Sequence, residues 1–107
     1  MQSAEFVSNV VKLKHELLDA FVGEHSTSEV ALLIASLGLT PEQHHTMNQV
    51  INAALRDTLY TFLLGLDGAA AIGNIQQSYS LTAEDGSLVY EPGDLEAEAW
   101  RQMHNDA

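Results

Sequence analysis

The chain has 107 residues and no cysteine, and fifteen acidic side chains face four basic ones for a formal charge of −11. That balance argues against nucleic acid or an anionic membrane surface as a partner, because like charges repel, and points to a basic protein surface, a cation or plain solubility. Without thiols there are no disulfides, thiolate metal sites or cysteine nucleophiles. The length suits a single domain, 1–107, and an apolar content of 46% is that of a globular chain, not an acidic disordered tail.

Residues 3–22 read as a first helix. Phe6, Val10, Leu13, Leu17 and Phe21 recur at helical spacing, widened by Val7, Val11, Leu18 and Val22, while Glu5, Asn9, Lys12, Glu16 and Asp19 form a solvated stripe. Gly23 suits the stop. Ser26-Thr27-Ser28-Glu29 carries a capping-box pattern and opens a short helix, about 27–37, with Val30, Leu33, Ile34 and Leu37 on one side.

Thr40-Pro41-Glu42-Gln43 combines an N-cap threonine, proline at the first helical position and a glutamine that can reach back. It starts the long central helix, about 41–66. Met47, Val50, Ile51, Ala54 and Leu55 form its expected buried face, and His45, Gln49, Asn52 and Arg56 a polar stripe. Past Asp57 the run TLYTFLLGL is apolar almost all round, the pattern of a buried segment. That window is far shorter than the ~20 residues of a membrane span, and the N-terminus lacks the basic-then-apolar pattern of a secretory leader. A cytoplasmic location is the expectation.

After Gly73 the pattern shifts. Ile75, Tyr79 and Leu81, the turn signal Ala83-Glu84-Asp85-Gly86, then Leu88 and Tyr90 predict a β-hairpin over about 75–91. Pro92-Gly93 ends it, and Asp94 can cap a last helix, about 95–105, with Leu95, Ala99, Trp100 and Met103 facing the core. The expected fold class is therefore α+β. A lone hairpin is marginal in water, so it must pack on the helices or pair edge to edge with a second copy as a homodimer.

Two residues stand out as candidate chemistry. Arg56 is the only arginine or lysine between Lys14 and Arg101, and its guanidinium could grip a carboxylate with two parallel bonds. The plainer role is an internal salt bridge, with Asp57 a poor partner because helix neighbours face apart. Asp67 sits at the unfavourable end of the central helix's dipole. It either caps a short turn through Gly68 or offers a carboxylate in a glycine-lined loop, with Tyr60 and Tyr79 as possible neighbours. Glu42 and His45 have the spacing of a di-iron helix, but no second such pair exists, so neither a metal site nor a cofactor is expected. No hydrolase or nucleotide-loop motif occurs, and no catalytic residue is assigned.

The densest charge is on Glu84, Asp85, Glu91, Asp94, Glu96 and Glu98. The leading functional expectation is a small acidic module that binds and neutralises or regulates a basic protein, as an immunity or antitoxin-like inhibitor would. The alternatives are a small-ligand binder or enzyme built on Arg56, Asp67 and Gly68, and a structural subunit assembled through the hairpin.

Overall fold

The computed structural model describes residues 2–104. Four helices carry the fold: α1 (Ser3–Val22), α2 (Glu29–Ser36), α3 (Pro41–Leu66) and α4 (Asp94–Met103). There is no β-strand among the described residues, so the α+β expectation is corrected to a helical fold. Likewise, no helix among them is long and apolar enough to cross a membrane.

The helix ends follow local chemistry. Thr40 and Gln43 form the reciprocal capping box: Gln43 N–H donates to Thr40 Oγ1 at 3.2 Å, and Thr40 N–H donates to Gln43 Oε1 at 2.9 Å. For α2 the cap is Ser28, whose hydroxyl oxygen accepts from Ala31 N–H at 3.1 Å. The same hydroxyl donates to the carbonyl of Ala20, tying the start of α2 to the end of α1.

The segment 75–91 does not pair as a hairpin. Only isolated bridges occur, Asp67 with Ser78, Ile72 with Ile75, and Thr82 with Leu88. The physical reason lies in where the backbone bonds go. Tyr79 N–H donates to the Leu66 carbonyl at the end of α3 (2.8 Å), and the Tyr79 carbonyl accepts from the Tyr90 hydroxyl. With those groups committed, the two arms share only the bonds nearest the turn, Val89 N–H to Leu81 O and Ala83 N–H to Ser87 O. Without a strand edge, pairing of two copies through the hairpin loses its premise.

The core is Val7, Leu63, Val89, Tyr90, Leu95, Ala99 and Met103, all below a tenth exposed. It fills one end of the molecule, where the start of α1, the second half of α3 and α4 meet. Two expectations shift there. Lys14 is fully buried while Leu13 is 43% exposed, so the inward face of α1 is turned by one residue. Trp100 points outward at 54% exposure instead of joining the core. In α3 the apolar run keeps one open strip: Leu63 and Gly65 are buried on opposite sides of the helix, whereas Phe62 is 52% exposed.

The other end is open. There α2 packs against α1 and not against α3. The molecule is accordingly long, 47 × 29 × 24 Å, with a radius of gyration of 16.2 Å against about 13 Å for a compact chain of this length.

Candidate functional site

Asp67 has a structural task. Its Oδ1 accepts from Gly93 N–H at 2.8 Å and its Oδ2 from Glu96 N–H at 2.9 Å. These are orphan donors of the first turn of α4, whose own N-cap residue is Gly93, with no side chain to offer. The carboxylate at the end of α3 therefore caps α4 from outside it. The unfavourable dipole end of one helix is offset by the favourable end of the next. Asp94, expected as the cap, is instead the first residue inside the helix.

Gly68 serves the same junction. Its φ is +81°, and a Cβ there would come within 2.6 Å of the Ser78 hydroxyl, so a side chain is strained on both counts. Tyr79 lies across the junction through its backbone, and Gln77 donates to its hydroxyl at 3.3 Å.

Tyr90 locks the junction from the core side. Its hydroxyl donates to the carbonyls of Leu66 (2.9 Å) and Tyr79. Burial, and secondarily the charge of Asp67, push its pKa above the ordinary tyrosine value. A neutral phenol is thus favoured in the folded state. Its contribution is fully present below the unfolded value of about 10 and is lost as pH climbs through the higher folded value. The urea midpoint of the wild type is expected to fall between about pH 9 and 11 more than that of Tyr90→Phe, which has no such proton to lose. Parallel curves would remove Tyr90 as the cause.

Arg56 and Tyr60 do come together, one turn apart on α3 and facing α4. With Asp57, Trp100, Met103 and His104 they line a cleft of about 180 Å³. Arg56 Nε meets Asp57 Oδ1 at 3.4 Å, so its ion pair is to the helix neighbour that the sequence had set aside, over a long contact. The rings of Trp100 and His104 lie 3.7 Å apart, tilted by 34°. Sequence reasoning missed both of these residues; an aromatic pair four apart on a short helix was the available signal. Asp67, Gly68 and Tyr79 do not join this cleft. Asp67 follows Arg56 by eleven residues, about 16 Å along the helix axis, and sits at the opposite end of α4.

The acidic residues gather at the packed end. Glu84 and Asp85 occupy a turn closed by Gly86 N–H to Ala83 O. There Asp85 accepts from the Ser87 hydroxyl (2.6 Å) and N–H (2.9 Å), bonds that hold its pKa below the usual value. Glu5, from the first turn of α1, shares a surface hollow with this pair. On the other side of the α1 start, Glu91 and Asp94 line a second hollow with Gln2 and Ser3. Glu96 is exposed nearby, in the first turn of α4. Glu98 differs: Arg101 donates to it through Nε (2.9 Å) and Nη2 (2.6 Å) and Gln102 through Nε2 (3.0 Å), which lowers its pKa. It is bound up within α4.

Glu42 and His45 are both exposed on the first turns of α3, and no group of three or more potential ligands could hold a metal among the described residues.

Comparison with protein-family models, curated proteins and solved structures finds no match.

Proposed function

We propose that the protein is an acidic interaction module that docks on a basic surface of a partner protein, of the immunity-protein or antitoxin-like kind, acting in the cytoplasm. The observation that carries the reading is the rim of exposed carboxylates around the start of α1. Glu5, Glu84 and Asp85 lie on one side, and Glu91 and Asp94 on the other. Residues far apart in sequence thus supply one negative surface, which would steer a cationic partner and strengthen at low salt.

The test is capture of a partner and its titration against salt. Affinity should drop at least about tenfold between roughly 50 and 300 mM NaCl, and again when Glu84 and Asp85 are both changed to lysine. A partner that binds equally well at high salt and ignores the charge reversal would sink the reading.

The small-ligand reading built on Arg56, Asp67 and Gly68 loses its support, because Arg56 lines a cleft at the end of α4 while Asp67 caps the start of that helix.

A further inference from the structure

We infer that the cleft between α3 and α4 is a binding site for a small aromatic carboxylic acid, a single flat ring carrying one carboxylate. Helical spacing builds it. Arg56 and Tyr60 stand four apart on α3, while Met103 and His104 stand three and four beyond Trp100 on α4, so each helix turns one group of side chains to the same space. The two helices thus enclose a hollow of about 180 Å³ that neither could form alone. Asp67 and Gly68 take no part in it.

The guanidinium sets the charge of the ligand. Its ion pair to Asp57 is one contact of 3.4 Å, to a side chain that is 73% exposed, and a pair of that kind contributes little. Among the described residues no side chain accepts from Nη1 or Nη2 of Arg56. A carboxylate can take two parallel N–H bonds from that fork. Asp57 lines the same cleft, so a second negative charge on the ligand would meet repulsion.

The walls set the rest. The indole of Trp100 and the imidazole of His104 lie with their centroids 3.7 Å apart, and Tyr60 adds a phenol from α3. Flat faces of this kind favour a flat ligand. Met103 is 1% exposed and forms an apolar floor whose thioether suits contact with a ring. A cavity of about 150 Å³ holds benzene, so this hollow of about 180 Å³ admits one six-membered ring and little more. The site uses none of the carboxylates of the acidic rim, so the two readings stand or fall separately.

Sodium benzoate titrated into the full chain at constant ionic strength is the probe. Trp100 is the only tryptophan, so its emission and its single indole N–H resonance report on the cleft directly. Both should change saturably, with half-saturation at about 1 mM, a range open to so small a ligand. The Arg56 Nε–H resonance should move with them, while the Gly93 and Glu96 amides at the far end of α4 stay still. Acetate lacks the ring and benzyl alcohol lacks the charge, and each should bind at least about tenfold more weakly. Arg56→Met should weaken benzoate about tenfold with helical circular dichroism intact, and Arg56→Lys should fall between it and the wild type. The two ligand controls need no variant, so the outcome does not depend on how Arg56→Met folds. No saturation below about 20 mM benzoate overturns the inference. So does acetate binding as well as benzoate, or an Arg56→Met protein that binds benzoate like the wild type. Resonance shifts centred away from Trp100 and Arg56 would refute the assigned cleft.

Discussion

Leu63→Ala is expected to remove about 3 kcal/mol of folding stability, measured as the shift in urea unfolding, while Phe62→Ala one position earlier removes less than about 1 kcal/mol. Leu63 is 2% exposed and lies where α1, α3 and α4 meet, so truncation leaves a cavity with no means of collapse. Phe62 is 52% exposed and has little to lose. A domain of this size has roughly 5–15 kcal/mol in total, and the core holds few fully buried side chains. The first substitution therefore uses a large share of the margin. Equal costs at the two positions would show that Phe62 is covered as well.

The second large effect is at Asp67. Alanine there leaves the Gly93 and Glu96 N–H groups without their carboxylate, at an expected cost of about 2–3 kcal/mol, the upper range for loss of a helix cap that is also charge-assisted. Asparagine keeps one acceptor oxygen and should cost about half as much. Trp100 is the only tryptophan and lies on α4, so its fluorescence reports whether that helix loosens before the rest. Amide exchange at Glu96 gives the local test. An Asp67→Ala protein as stable as the wild type, with Glu96 still protected, would mean that α4 does not depend on the cap.

These positions also show what could be read from the chain and what could not. The start of α3 was legible because caps are local: Thr40, Pro41 and Gln43 specify it within four residues. The cap of α2 is Ser28, two residues past the Ser26 of the expected capping box, and that of α4 is Gly93 in place of Asp94. The hairpin was misread because alternation reports which side chains face the same way, not which partner a backbone group finds. Tyr79 bonds to the end of a helix, and Tyr90 supplies a side-chain donor where a ladder would need a backbone one. Asp67 was recognisable as an anomaly, a carboxylate at the wrong helix end. Its partners at Gly93 and Glu96 are long-range and leave no trace in local spacing. The Arg56–Tyr60 pairing was visible on one helix; Trp100 and His104 on α4 complete that cleft only through tertiary packing. Exposure of the leucines on α2 was unreadable for a related reason, since an apolar stripe does not say how much of it the rest of the chain covers.

The contact between Asp67 and the start of α4 has a use in engineering. It fastens the two ends of the 67–93 segment to each other, so the chain between them is a closed loop whose tip is the exposed turn at Glu84-Asp85-Gly86. Closing a longer loop is cheap, about 0.6 kcal/mol for each doubling of length. A fluorescent reporter or an affinity tag spliced into that tip would therefore leave the helices in register, making the turn the natural place to open this chain to foreign sequence.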